Sequence, residues 1–184
     1  MSYLERQFLI AMPGLEDPNF SRGVTLLCQH NDEGALGITI NRPSEFTLSD
    51  LLSQVGLSCS EERLGGQRVF DGGPVHRERG FVLHSPDRHY ESSMPVGPDI
   101  LITTSRDVLE DIAAGRGPER FLVALGYAGW GAGQLEEEMR DNAWLNVMAD
   151  AELLFDLPVE QRWASAVARL GIDVGRLQPQ GGHA

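Results

Sequence analysis

The sequence contains no lysine. All fifteen of its basic residues are arginine, which removes chemistry that runs through a lysine amine, such as a Schiff base or a Walker-type phosphate loop. Cysteine is scarce too. Cys28 and Cys59 are the only two, too few for a disulfide scaffold and without C-x-x-C or zinc-type Cys/His spacing. Such usage fits a reduced compartment, the cytosol. No apolar run approaches the ~20 residues of a membrane span. The segment Met1 to Arg6 lacks the basic region of a signal peptide, and the apolar run Phe8 to Met12 is too short for one. Positive charge is also in deficit: 15 basic against 27 acidic residues leave −12 with His neutral. A duplex binder needs positive charge against phosphate, so direct DNA binding is not expected.

What is present is an ordinary globular balance over 184 residues, 41% hydrophobic and 23% charged. That length suits one domain with a full core. Phe8 to Met12 reads as a short buried strand stopped by Pro13-Gly14, with a turn at Asp17-Pro18. Val24 to His30 and Leu36 to Asn41 read as an antiparallel hairpin around Asn31-Asp32-Glu33-Gly34. Strict alternation would put Val24, Leu26, Cys28 and His30 on one face. Thr47-Leu48-Ser49-Asp50 has capping-box spacing, and Leu48, Leu51, Leu52 and Val55 follow at helical period up to Gly56. Ser58 to Gly66 reads as a loop, and Pro86 to Pro98 as irregular. Gly80 to His84, Ile100 to Thr104 and Phe121 to Leu125 read as strands, the last apolar on both faces and therefore central. Ser105 suits the N-cap of a helix carrying Val108, Leu109, Ile112 and Ala113. Gln134 to Arg140 reads as an acidic helix buried by Leu135 and Met139, and Trp144 to Val147 as a last strand. Pro158 suits the start of a helix whose stripe is Trp163, Ala166, Val167 and Leu170, ending at Gly171.

Several groups of residues could carry chemistry. Gly126 to Gly133 reads as a strand running through glycines into a helix, the geometry that exposes backbone N–H groups to an anion. It is not G-x-G-x-x-G, and Glu136 to Glu138 would repel a phosphate. The stretch is therefore either a structural turn with Trp130 in the core or a small pocket lined by Tyr127, Trp130, Gln134 and Glu138. Gly72-Gly73-Pro74 offers a second close backbone approach. Asn41 could hydrogen-bond a turn or a ligand, and Arg42 could bind a carboxylate or phosphate or form a surface ion pair. Cys28 beside His30 is either an inert buried thiol or a redox-active one. Adding His76 and His84 gives no standard metal spacing. Glu136 and Arg140 stand four apart, as a solvated ion pair would. No G-x-S-x-G supports serine hydrolysis.

Four ordered segments resemble the AlgH/YqgE family of bacterial proteins. They are Phe8 to Pro13; Cys28-Gln29-His30-Asn31 with Gly34 to Gly37 and Asn41-Arg42-Pro43; Gly72 to Val75 with Arg79 to His84; and Gly126 to Trp130 with Gly133 to Glu136 and Asn142 to Leu145. The resemblance implies an α+β fold in a single domain, placed at residues 1–177; the residues from Gln178 to Ala184 read as a disordered tail. It implies a mixed, bifurcated β-sheet partly curled into a small barrel and flanked by helices. It also implies an association with alginate regulation and a label of transcriptional regulator, but supplies no catalytic residues. The expectation is a non-enzymatic regulatory or binding module, without cofactor or metal, acting through a protein partner or a small molecule. The rival readings are a thiol-redox protein using Cys28, and an enzyme acting on a small anionic substrate where the two glycine turns meet.

Overall fold

Strand β1 (Gln7–Ala11) has a core on each face: Phe8 and Ile10 pack in one hydrophobic cluster and Leu9 and Ala11 in another, and all four are 0% exposed. That is why its sequence is a continuous apolar run and not an alternating one. The computed structural model describes residues 4–12 and 22–170. The expected stop at Pro13-Gly14, the turn at Asp17-Pro18, the helix end at Gly171 and the tail 178–184 lie outside them. The strands that follow are β2 (Val24–Asn31), β3 (Gly34–Thr39), β4 (Pro43–Thr47), β5 (Arg68–Asp71) and β6 (Val75–His84). After them come β7 (Met94–Gly97), β8 (Ile100–Thr103), β9 (Phe121–Gly131) and β10 (Trp144–Met148). The main path runs β10-β1-β2-β3-β9-β6-β8-β7, antiparallel throughout, while β5 joins β9 in parallel and pairs with β4. The sheet curls until β7 comes back towards β2, leaving a half-barrel. This is the expected α+β single domain with a mixed, forked sheet.

The fork lies along one edge of β9. Residues 128–131 of that edge pair with β3, and residues 124–125 pair with β5. Between them the chain must change partner, and Gly72 fills the gap with backbone alone. Its N–H donates to the Leu125 carbonyl at 2.8 Å, and its carbonyl accepts from the Thr39 N–H at 2.8 Å. The three chains come so close that side chains are excluded. A Cβ on Gly72 would lie 2.4 Å from the Gly126 carbonyl oxygen, and one on Gly126 2.4 Å from the Gly73 carbonyl oxygen. Gly126 also has φ +80°, a left-handed backbone that glycine adopts at no steric cost. The two glycine turns therefore do meet, as the enzyme reading required. They fill each other's space, however, so no anion pocket forms between them.

Among the described residues, five α-helices flank this sheet: α1 (Leu48–Gln54), α2 (Glu62–Gly65), α3 (Arg106–Ala113), α4 (Gln134–Arg140) and α5 (Arg162–Ala168). The capping box at α1 is formed, Thr47 Oγ1 accepting from Asp50 N at 3.2 Å and Asp50 Oδ2 accepting from Thr47 N at 2.9 Å. Leu48 and Leu52 of α1 meet Val108, Ile112 and Ala113 of α3 over Val69, Val82 and Val123. Trp163, Ala166 and Val167 of α5 close the main core with Phe8, Leu26, Ile38 and Phe81, and the Trp163 indole donates to the Ala11 carbonyl at 3.0 Å. His84 is buried with both ring nitrogens engaged, Nδ1 on the Ser85 carbonyl at 2.8 Å and Nε2 on Thr103 Oγ1 at 2.7 Å.

Some expectations fail for identifiable reasons. Gly126 to Gly131 is strand, not turn, because its glycines serve close approach within the sheet and do not break it. Ser58 to Gly66 contains α2, and Pro86 to Pro98 contains β7, both too short to show a period. Strand β4 was hidden because it is an exposed, polar strand paired only with β5. Pro158 opens a 3₁₀ turn at Val159–Gln161, and α5 begins only at Arg162. Ser105 occupies the N-cap of α3, but its hydroxyl donates to Asp107 Oδ1 at 2.5 Å and leaves the helix amides uncapped by it.

Gly56 provides a control for the fork, since it has φ +79° and a Cβ added there would meet nothing within 4 Å. Gly56→Ala carries only the left-handed penalty of ~1 kcal/mol. Gly126→Ala adds a backbone clash and should cost at least ~2 kcal/mol more in urea unfolding. Equal losses for the two variants would mean that the close approach contributes nothing.

Candidate functional site

The alternation along β2 breaks at Cys28. Leu27 pairs with Gly37 but Gln29 with Leu36, so one extra residue is inserted and the later side chains change face. Cys28 stays with the main core, whereas His30 turns to the cluster of Leu27, Trp130 and Leu135 beneath α4. The expected shared face is thus abolished, and with it the thiol–imidazole pair. Desolvation pushes the thiol of Cys28, a half-buried residue, up to about 12, and its hydrogen goes to the Leu26 carbonyl at 3.5 Å. That is the environment of an inert thiol. His30 instead accepts from the Leu4 N–H through Nδ1 at 2.9 Å and aims Nε2 at Glu136 Oε1, 3.3 Å away. Glu136 therefore faces His30 and not Arg140. Its carboxyl is held below the usual range first by its own backbone N–H and then by His30. His76 is exposed beside Glu78, and His84 is buried on Thr103, so no metal cluster forms from these groups among the described residues.

The residues around Trp130 divide between two places. The indole N–H groups of Trp130 and Trp144 both donate to Glu138 Oε1, at 3.0 and 2.8 Å, and the rings meet edge to face at 5.8 Å. Gln134 donates to Glu138 Oε2 at 2.9 Å and accepts from the Gly131 N–H at 2.9 Å. One carboxylate so ties β9, α4 and β10 together. Gln134 and Glu138 are committed to this clasp and line no pocket with Tyr127. Asn41 is likewise a structural residue, its Oδ1 accepting from Val24 N at 2.9 Å and its Nδ2 donating to the Arg22 carbonyl at 3.0 Å. Arg42 offers its carbonyl to the Asp71 N–H at 2.7 Å, and Gly72 and Gly73 belong to the fork.

Tyr127 and Trp130 do line open space. They form one wall of a cleft of about 470 Å³ that also takes in Gln29, Glu33, Leu36 and Val75. Gln29 and Leu36 are shared with a second, larger cleft of about 730 Å³ at the mouth of the half-barrel. Its floor is the core residues Phe81, Val96 and Ile102, its side is Cys28, and its lip is Met94 from β7. Polar groups from Glu5, Arg6 and Thr104 stand at the rim. Gln29 and Leu36 form the wall common to the two clefts, and Tyr127 packs edge-on against Phe81 at 6.0 Å. Apolar walls with a few polar groups at a barrel mouth are the usual make-up of a small-molecule site. Sequence reading found Tyr127, Trp130 and Cys28 but missed Leu36, Phe81, Met94 and Ile102. Those four come from four different strands, and only the curl of the sheet brings them together.

A forked, curled sheet flanked by helices, with a cleft at its open mouth, defines an α+β half-barrel domain. A family model described as AlgH-like matches residues 8–175, and the chain belongs to that family. It is 55% identical over 181 residues to a UPF0301 protein of Xanthomonas campestris pv. campestris, covering 98% of this chain and 96% of the relative. A UPF0301 protein of Xanthomonas oryzae pv. oryzae is 54% identical over the same shares. The solution structure of the AlgH protein from Pseudomonas aeruginosa superimposes with a TM-score of 0.81 at 49% identity, covering 100% of this chain and 97% of that one. A crystal structure of a Corynebacterium diphtheriae protein shares the fold at 15% identity and a TM-score of 0.76, covering 97% and 93%.

The clasp makes a direct prediction. Glu138→Ala removes the acceptor of two indole N–H groups on rings that are 6% and 2% exposed, and should cost ~2–4 kcal/mol. Glu138→Gln keeps one carbonyl for the indoles and should cost less than half of that. Chemical denaturation that shows both variants within ~0.5 kcal/mol of the parent would make the clasp incidental.

Proposed function

We propose that this chain is a non-enzymatic, cytosolic binding module with a regulatory output, exerted by what occupies its half-barrel mouth and not by direct contact with DNA. The observation that carries the reading is the cleft at the half-barrel mouth, with Phe81, Val96 and Ile102 in its floor, Met94 at its lip and Glu5, Arg6 and Thr104 at its rim. The ligand expected there is a small molecule or a partner's side chain with an apolar body. The regulatory half rests on family resemblance. The exclusion of DNA rests on the net charge of −12, which opposes association with a polyanion. The redox alternative is weakened by the high pKa of Cys28, and the anionic-substrate alternative by the filled space at the glycine fork.

The test is titration of the native chain with a neutral apolar fluorophore, N-phenylnaphthylamine. Saturable binding is expected, weakened about tenfold by Met94→Glu, a substitution at a residue 60% exposed on the lip. No saturable signal, or one indifferent to Met94→Glu, would remove the groove as the site. In parallel, nanomolar, sequence-specific retention of duplex DNA at about 150 mM salt would overturn the indirect reading.

A further inference from the structure

A chain with such an excess of acid nevertheless gathers three of its arginines on one cleft. This space, about 450 Å³, opens where β5, the start of β9 and the π-helical turn Glu152–Asp156 converge. Arg68, Arg120 and Arg162 line it together with the rings of Phe70 and Phe155, and Glu119 is the one acid in its wall. It shares no lining residue with the groove at the barrel mouth.

Arg162 is the informative group. It is 6% exposed, yet among the described residues its guanidinium makes no ion pair. It donates through Nη1 to the Ile40 carbonyl and through Nε to the Leu157 carbonyl at 3.4 Å, and it lies over the Phe70 ring at 5.2 Å. Desolvation pulls its pKa down to about 10, opposed in part by Glu160. Burying a cation without a counter-charge costs several kcal/mol as an order of magnitude, and a neutral side chain could have filled the same place. Two carbonyls leave part of its five-donor fork unused. Arg120 sits over the Phe155 ring at 5.9 Å and is already engaged with Asp156 at 2.7 Å. Arg68, by contrast, is exposed and donates only to the Ser44 carbonyl, at 3.1 Å.

We propose that this cleft binds a small organic anion, an oxyanion group carried on a flat ring, with Arg162 and Arg68 on the charge and the Phe70 and Phe155 rings beside the body. Arginine suits this task because its planar fork can both pair with an oxyanion and stack on a ring. The volume falls in the range of a single-molecule pocket, roughly 300–1,000 Å³. The proposal stands independently of the barrel-mouth reading, because the two sites share no wall and take different ligands, one apolar and neutral, the other anionic.

The experiment is calorimetric titration of the full chain with phenyl phosphate, inorganic phosphate and phenol, with the Arg162 Nε–H resonance followed by NMR. Phenyl phosphate should bind saturably, about tenfold more tightly than inorganic phosphate. It should move the Arg162 resonance and weaken as salt is raised, and phenol should not bind. Arg68→Ala, an exposed change that keeps Arg162 and the fold, should lower affinity at least tenfold, whereas Met94→Glu should leave it unchanged. No saturable response to phenyl phosphate up to about 10 mM, an Arg68→Ala variant that binds as well as the parent, or an unmoved Arg162 resonance would overturn the site. Equal affinity for inorganic phosphate would overturn the ring-bearing ligand.

Discussion

Three peptide segments touching backbone to backbone, at Gly72-Gly73, Gly126 and the end of β3, allow one strand to serve two sheets. Strand β9 would otherwise have to end where its partner changes, and an unpaired stretch of buried N–H and C=O groups would remain. Gly72 meets that demand with one donor and one acceptor pointing in opposite directions. The energetic argument is one of exclusion. Any side chain at these positions would have to displace a main-chain carbonyl, and main chain in a paired strand does not yield as a flexible side chain does.

Much else follows from that junction. Because β3 leaves β9 at the fork, β2 and β3 are free to bend around towards β7, and the bend opens the mouth lined by Cys28, Leu36, Phe81 and Met94. The bulge at Cys28 serves the same curvature, and its side effect is to send His30 to the opposite face. Past the fork, the last turn of β9 is secured differently. There the sheet has run out of partners on one side, and Glu138 collects both indoles to hold α4 and β10 in place. The molecule is thus fixed by backbone at its centre and by one multiply bonded carboxylate at its end.

The sequence disclosed the elements more readily than their meeting points. The capping box at Thr47, the apolar run of β1, the hairpin of β2 and β3 and the stripe of α5 each follow from local rules, and each formed as expected. Glycines misled in two ways. At Gly126 to Gly131 they suggested a turn, because a glycine needed for interstrand contact and one needed for a turn look alike in one dimension. At Gly72-Gly73 they left a ligand site open beside a plain turn, because close approach to a ligand and close approach to another backbone impose the same requirement. Alternation placed Cys28 and His30 together, and a single inserted residue that no composition reveals undid it. The clasp was half legible, since Trp130, Gln134 and Glu138 stood out, but their partner Trp144 lies on another strand. The arginine cleft was not legible at all. Arg68, Arg120 and Arg162 are far apart in the chain and are assembled only by the fork and the turn after β10.

Native-state hydrogen exchange at the fork tests the central claim most directly. The Thr39 and Gly72 amides, which donate to the Gly72 and Leu125 carbonyls, should exchange only by global unfolding. Their opening free energies should therefore match that of the Ile40 amide on the Val24 carbonyl in the barrel core. If the two fork amides open at least ~2 kcal/mol more readily than Ile40, the junction is a local accommodation and does not hold the fold together.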